Sequence, residues 1–371
     1  MKINAENATP KYRQVYDIIK QYFEDEHYQA DQKIPSESEL IERFQVSRNT
    51  VRKALDDLAN EGRIYKRKGQ GSFYAGAAPN ADAHSYLIGV MTPLSSAYIY
   101  PQIIQGIDDV AHQHHYNIVL GTSSADPERE LRLIDQLLRR GIEGLLIEPA
   151  GGYETDFLLS ENFEMIQNLS IPVVAMNWMI DDPQITSIAL DDTEGGFRAT
   201  DYLIQAGHRR VACVYNNDHP PGVQRFQGYR NALTAHGIPY DERFDKSMPV
   251  KKWGEHAHFA YLLTKELLAL GEERPTAIFY FNDECALQGY AAAREAGLRI
   301  PDDISMIGFD NSDLAVLAEV PMTSVIHPKY QIGKWAAEML FDEIARNGER
   351  RHQQILIHPA IAVRNSVKVL T

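Results

Sequence analysis

The chain is poor in the features that announce a secreted protein, a membrane protein or a common enzyme. It has only two cysteines, Cys213 and Cys285, in 371 residues. Two cysteines make neither a disulfide framework nor a paired Cys/His zinc spacing, which suits a reducing compartment. Nowhere do eighteen apolar residues run together, so no membrane association is expected, and the amino-terminal MKINAENATPKY lacks a secretory apolar core. A cytoplasmic location is the expectation. Gly-x-Ser-x-Gly, a Walker loop and His-Glu-x-x-His are all missing, so neither catalytic residues nor a cofactor are expected. Metal ligands are equally scarce. The HQHH run at His112–His115 ends an amphipathic stretch without carboxylate or Cys partners at ligand spacing, and it reads as a solvated helix end. His256 and His258, two apart on a helical stretch, point to different faces. Gly69-x-Gly71 lacks the third glycine and the following helix of a dinucleotide loop.

Positive charge is scarce overall and concentrated locally. The formal net charge is −14, yet residues 43–76 hold eight Lys/Arg against three acids, a local +5 that leaves −19 for the remainder. A basic patch on an acidic body can turn one face toward DNA, although a basic run alone could equally be a solvated helix face.

What surrounds that patch decides its meaning. Val15, Ile18, Ile19, Tyr22 and Phe23 recur at helical spacing after Pro10. Ser36 with Glu39 three residues on makes a capping box that opens a short helix. A second helix start at Ser47, with Val51, Leu55 and Leu58 inward and a stop at Gly62, completes a helix-turn-helix pattern. The early turns of that second helix carry Arg48, Asn49, Thr50, Arg52 and Lys53. A recognition helix needs such residues at its amino-terminal end, because Arg grips guanine, Asn grips adenine and Thr reaches phosphate or the thymine methyl. RIYKRKGQGSFYA then alternates as two strands around a Lys68–Gly71 turn, a hairpin wing whose cations add salt-dependent affinity.

The stretch KIPSESELIERFQVSRNTVRKALDDLANEGRIYKRKGQGSFYA resembles the winged-helix domain of the GntR family of bacterial regulators, within a match running from Lys11 to Ala75. It shares the Pro-Ser-Glu helix start, the Val-Ser-Arg-x-Thr-Val-Arg segment and the Gly-x-Gly-x-Phe wing. The resemblance implies DNA contacts from Arg48, Thr50 and Arg52, with Lys68 and Gly69 at the wing tip, and adds Glu37 and Asn49.

From Ser85 onward, apolar runs such as LIGVM, NIVLGTS, GLLIEP, IPVVAMN, RRVACVYN, TAIFYFND and ISMIGFDN alternate with helical stretches. Runs buried on both faces, separated by helices, predict parallel sheets with helices on both sides, and this length divides into two lobes. Polar pairs end the runs at Asn177-Trp178, Asn216-Asn217, Asn282-Asp283 and Asp310-Asn311. Ligands of open α/β sheets sit beyond the carboxyl ends of the strands, so these groups fit a cleft for a polyhydroxylated ligand. Any one of them could instead cap the next helix, Asp283 and Asp310 above all.

The segment order, and GLRIPDDISMIGFDN in particular, resembles the effector domain of the LacI/GalR repressors, a periplasmic-binding-protein-like fold. That resemblance implies sugar contacts from Asn177, Arg225, Asn282 and Asp310. It also turns the Ser95, Tyr98, Tyr100 loop, Glu148 and Trp178 toward the cleft and puts His327 at a lobe crossover. The expected organisation is a winged helix-turn-helix (α+β) over residues 1–76, a linker over 77–85 and a two-lobed α/β domain over 86–371. The lobes are expected at about 86–190 plus 312–325, and 192–310 plus 327–371. One departure stands out, since GAAPNADAHS is too polar and Pro-broken for the hinge helix of LacI/GalR repressors. A GntR-type head on a LacI-type body resembles sugar-responsive repressors of bacilli, which implies operator DNA and L-arabinose as ligands. A homodimer follows from the two-fold symmetry of operators. Another monosaccharide or a sugar phosphate remains open as effector, and so does a cytoplasmic sugar-binding protein. A phosphorylated ligand would need more than one cleft cation, and Arg225 is the one strand-end cation legible here.

Overall fold

The computed structural model describes residues 11–25, 28–29, 32–60, 63–67, 71–74, 84–94, 98–150, 158, 160–180, 182, 184–248, 256–346 and 352–370. Two compact units divide the chain, Met1–Ser85 and Tyr86–Thr371. Among the described residues no helix is long and apolar enough to cross a membrane.

The first unit comprises α1 (Lys11–Asp25), α2 (Glu37–Phe44), α3 (Arg48–Asn60), β1 (Ile64–Arg67) and β2 (Gly71–Tyr74). Its core gathers Val15, Tyr16 and Ile19 of α1, Leu40 of α2, and Val51, Ala54, Leu55 and Leu58 of α3, with Ile64 and Tyr74 from the hairpin. Ser36 caps α2 as its neighbours dictate: the Glu39 N–H donates to Ser36 Oγ (3.3 Å) and the Ser36 N–H to Glu39 Oε2 (2.7 Å). Gln45, at φ 53°, ends α2 in the left-handed conformation and turns the chain toward α3. Ser47 Oγ then accepts the Thr50 N–H at 3.2 Å and starts that helix. The two strands pair antiparallel with Ile64 opposite Tyr74 and Arg67 opposite Gly71.

Among the described residues the second unit holds two sheets, each of six strands. The first lobe runs β3 (Leu87–Thr92), α4 (Tyr100–Gln113), β4 (Asn117–Thr122), α5 (Pro127–Arg139), β5 (Gly144–Ile147), α6 (Glu161–Gln167), β6 (Val173–Met176) and β7 (Thr186–Leu190). The chain then crosses to α7 (Asp192–Gln205), β8 (Val211–Asn216), α8 (Pro220–Ala235), β9 (Asp245–Met248), α9 (His256–Leu268), β10 (Ala277–Tyr280), α10 (Asp283–Glu295), β11 (Ser305–Asp310), α11 (Asp313–Leu317) and β12 (Thr323–Ile326). It returns through α12 (Lys329–Ala345) and β13 (Gln354–Ile357) to the first lobe and ends with β14 (Ala360–Ala362) in the second.

Alternate residues of the central strands face opposite ways, and both faces are apolar. Leu146, Val174 and Met176 pack with α4 and α12, while Leu145, Ile147, Val173 and Ala175 pack with α5 and α6. In the second lobe Ala212, Ile278 and Met306 meet α9 and α10, whereas Cys213, Phe279 and Ile307 meet α7 and α8. Among the described residues all pairings in the first sheet are parallel, and in the second only the edge strand β14 runs antiparallel to its neighbour β12. The helices α4 and α12 touch backbone to backbone. A Cβ on Gly106 would lie 2.2 Å from the Tyr330 carbonyl oxygen, and one on Gly333 would lie 2.0 Å from that of Ile103.

The expected lobe boundaries need correction. Residues 312–325 belong to the second lobe, because β12 pairs with β11 (Ile307 opposite Thr323). Most of 327–371 does not stay there: α12 packs on α4 in the first lobe, and β13 pairs with β7 (Ile355 opposite Ile188). An apolar run identifies a strand but not the sheet that accepts it, since that choice is made by residues far away in sequence.

Candidate DNA interface and effector cleft

In the first unit, the helical period of α3 separates two faces. Val51, Ala54, Leu55 and Leu58 are buried, while Arg48, Asn49, Arg52 and Lys53 are exposed. Glu37, on the first turn of α2, lies 3.5 Å from Arg48 Nε and 3.6 Å from Arg52 Nε. Both arginine side chains are well over half exposed, so each ion pair contributes no more than about 1 kcal/mol. Such pairs orient the guanidinium groups without holding them back from a stronger acceptor. Thr50 turns its hydroxyl toward Ser47 Oγ (2.8 Å). The Lys53 ammonium lies 3.9 Å from the Tyr12 ring centre. On the hairpin, the Arg67 guanidinium packs 4.8 Å from the Phe73 ring and donates to the Tyr65 hydroxyl at 2.9 Å. Lys68 and Gly69 lie outside the described residues, as does most of the expected linker.

Between the lobes of the second unit lies a cavity of about 500 Å³. Its wall contains Tyr98, Glu148, Asn177, Arg225, Asn282, Asp310 and His327, gathered from both lobes and from the crossover before α12. Tyr100 lines it as well, whereas Ser95 lies outside the described residues. Trp178 does not join them. It packs in the first-lobe core behind the wall, its ring parallel to that of His219 at 6.5 Å, and His219 is the residue that reaches the cavity.

The second-lobe wall is built around Arg225. Its Nε donates to Asp192 Oδ1 (2.7 Å) and its Nη1 to the Phe281 carbonyl (2.7 Å), and its Nη2 lies 3.5 Å from Asp310 Oδ1. The guanidinium sits 3.6 Å from the Phe309 ring centre. The Tyr98 hydroxyl reaches across from the first lobe to donate to Asp310 Oδ2 at 2.7 Å. Opposite, the Glu148 carboxylate accepts from the Tyr100 hydroxyl (3.2 Å) and from Asn177 Nδ2. Asn177 Oδ1 and His327 Nδ1 are buried without a hydrogen-bond partner among the described residues. Tyr98, Asn177, Asp310 and Asn311 all adopt left-handed backbone, with φ of 60°, 69°, 90° and 47°. Non-glycine residues held this way cost of order 1–3 kcal/mol each and cluster at ligand sites.

Capping does not explain these strand ends as expected. Asn282, not Asp283, caps α10, accepting the Cys285 N–H at 2.9 Å. Asp283 instead accepts from the Ser312 N–H and hydroxyl and from the Ser324 hydroxyl (2.6 Å), bracing the turn that follows β11. Asp310 precedes α11 without capping it, because Ser312 occupies that position. Asn216 turns its side chain to the Asp218 N–H (2.8 Å) and is not part of the cavity wall.

Burial sets the electrostatics. It pushes the Glu148 carboxyl up to about 7 against the lowering effect of its two donors, and Asp192 up to about 6 despite Arg225. Desolvation holds His327 down at about 4, so its imidazole is neutral at pH 7. Lys329 is a second wall cation that the sequence reasoning missed, lowered from its ordinary value by burial. Its presence corrects the count of one cation. It adds no binding capacity for an anion, since its ammonium donates to the carbonyls of Asp310 (2.5 Å), Asn311 (3.0 Å) and His327 (3.3 Å). Acceptors and neutral groups dominate what remains, with Phe281 supplying an aromatic side chain. Such a site matches a ligand rich in hydroxyl donors and repels phosphate. Asp192 and Lys329 had been legible only as an acid after an apolar run and a lysine after His-Pro.

Comparison with known proteins agrees with this anatomy. Residues 11–73 match the pattern of bacterial regulatory proteins, gntR family, and residues 200–367 that of the periplasmic binding protein-like domain. The arabinose metabolism transcriptional repressor of Geobacillus stearothermophilus is 35% identical over 369 residues, spanning 98% of this chain and 99% of that protein. Its counterpart from Halalkalibacterium halodurans is 31% identical over 90% of each chain. Among solved structures, the cellobiose complex of the transcriptional regulator CelR shares 25% identity at a TM-score of 0.67, covering 87% of this chain and 92% of that one. A LacI family regulator from Enterococcus faecium with bound ribose shares 26% identity at a TM-score of 0.64, covering 77% and 100%. These relatives are regulators and not enzymes. The chain belongs to the family of transcriptional repressors of sugar metabolism that join a GntR-type winged helix to a LacI-type, periplasmic-binding-like domain.

Proposed function

We propose that this repressor binds its operator as a cytoplasmic homodimer and is released from it when L-arabinose fills the cleft. The observation that carries the effector reading is the wall itself: buried carboxylates on both sides, and two buried polar atoms, Asn177 Oδ1 and His327 Nδ1, without protein partners among the described residues. A neutral polyol supplies the donors that Glu148, Asp310, Asn177 and His327 accept, while Arg225 and Asn282 donate in return. The names of the two repressor relatives favour L-arabinose among such polyols. Operator contacts fall to Arg48, Asn49, Thr50 and Arg52, the two arginines oriented by Glu37, with Lys68 and Gly69 on the wing. Linkage is reciprocal, so operator DNA weakens sugar binding by the factor by which sugar weakens operator binding.

A second reading keeps the architecture and changes the sugar, because the neighbouring structures hold ribose and cellobiose. Thermal unfolding with a panel of free and phosphorylated sugars separates the readings. At a hundred times its Kd a true ligand stabilises the fold by about 2.7 kcal/mol. A selective shift with L-arabinose, followed by operator release in a gel-shift titration, supports the proposal. A shift with another sugar replaces the effector, and a shift with a sugar phosphate refutes the electrostatic argument.

A further inference from the structure

We infer that Lys329 is a positioning residue of the effector site, clamping the left-handed Asp310–Asn311 turn from the first-lobe helix α12 so that the Asp310 carboxylate is presented to the ligand. This rests on the reading of Asp310 as a sugar contact.

The turn is an unusual object. Two successive non-glycine residues, Asp310 at φ 90° and Asn311 at φ 47°, adopt left-handed backbone, and such geometry persists only where its surroundings over-determine it. Most of the bracing is local to the second lobe. The Asn311 N–H donates to Ser324 Oγ (2.9 Å), the Ser312 N–H to Asp283 Oδ2 (2.7 Å), and Arg364 Nη2 to Asn311 Oδ1 (2.6 Å). Lys329 differs in origin, because it opens α12, which packs on α4 in the first lobe. Its ammonium donates to the Asp310, Asn311 and His327 carbonyls. Among the described residues no carboxylate lies within ion-pair distance of it. An ammonium has three N–H groups, so all are engaged and none remains for a ligand. Lys329 therefore acts through Asp310, and not on the sugar. It also ties the backbone of a turn in one lobe to a helix of the other, while the Tyr98 hydroxyl reaches the Asp310 side chain from the first lobe.

The test is a double-variant cycle on the full-length protein, with L-arabinose affinity measured calorimetrically for wild type, Lys329→Met, Asp310→Asn and the double variant. Lys329→Met is expected to weaken binding about tenfold or more, and the double variant to bind no more weakly than Asp310→Asn alone. Unchanged affinity in Lys329→Met, or losses that simply add, overturns the inference. A ligand-free measurement runs in parallel: amide hydrogen exchange over residues 309–313 is expected to accelerate in Lys329→Met while residues 88–91 keep their protection. Equal exchange in the two proteins overturns the clamp. If wild type fails to bind L-arabinose, the effector reading falls and the exchange arm still decides the clamp. Should Lys329→Met not fold, Lys329→Gln, which keeps donors without charge, replaces it in both measurements.

Discussion

Replacing Glu148 by Gln should spare the effector domain a loss of stability with rising pH and weaken its ligand, two effects of opposite sign from one atom. The carboxyl is buried and stands at about 7 instead of its ordinary 4.5, with desolvation the largest cause. A folded-state pKa above the unfolded one means that this group's stability contribution is fully present below about 4.5. It is lost as pH rises through about 7. Between pH 5 and pH 8 the wild type therefore loses roughly 2–3 kcal/mol through Glu148, a loss the Gln variant does not share. The substitution keeps the Tyr100 bond but not the one from Asn177. Gln can accept from the Tyr100 hydroxyl, whereas Asn177 must turn its amide to accept from the new Gln. That turn carries its Nδ2 to the place of Oδ1, where no partner stands among the described residues, a cost that is the same at every pH. Urea unfolding at both pH values, followed by intrinsic tryptophan fluorescence, should show the variant gaining on wild type by that amount toward pH 8. A ligand hydroxyl that loses a charged acceptor loses about 1.5–3 kcal/mol, or roughly 10–150-fold in Kd. Parallel pH curves would refute the buried titration, and equal sugar affinity would remove Glu148 from the site.

Other substitutions test other parts of the argument. Arg52→Ala should weaken specific operator binding by about 1–3 kcal/mol in a gel-shift titration and leave sugar affinity alone; equal loss of both would indicate misfolding. Arg225→Ala should keep operator binding and abolish release by sugar, since it removes the group that organises Asp192, Phe281 and Asp310; a normal sugar response would misplace the cleft. Gly333→Ala drives a Cβ to 2.0 Å from the Ile103 carbonyl. It should cost at least about 1–3 kcal/mol, read as a lowered Tm, and an unchanged Tm would contradict the close contact of α4 and α12.

Much of the architecture was legible because local chemistry dictates it. The Ser36–Glu39 box, the Ser47 start and the 3.6-residue spacing of Val51, Leu55 and Leu58 set the helix-turn-helix, and the structure adds the left-handed Gln45 between the helices and Glu37 as the group that aligns Arg48 and Arg52. Strand ends advertised most of the cleft, because a polar residue closing an apolar run is visible in one dimension. Trp178 was misjudged on the same signal, since its strand end turns the ring into the core and leaves His219 to reach the cavity.

Helices, strands and the polar groups at their ends were thus determined by the sequence alone, through periodicity, caps and apolar runs that act over a few residues. Tertiary structure alone decided which sheet received β12, α12 and β13, and that Asp283 braces a distant turn where capping was expected. It also decided that Lys329 spends its donors on the backbone of Asp310 and Asn311. Those outcomes depend on partners such as Ile307, Ile188 and Ser312, which only packing brings within reach.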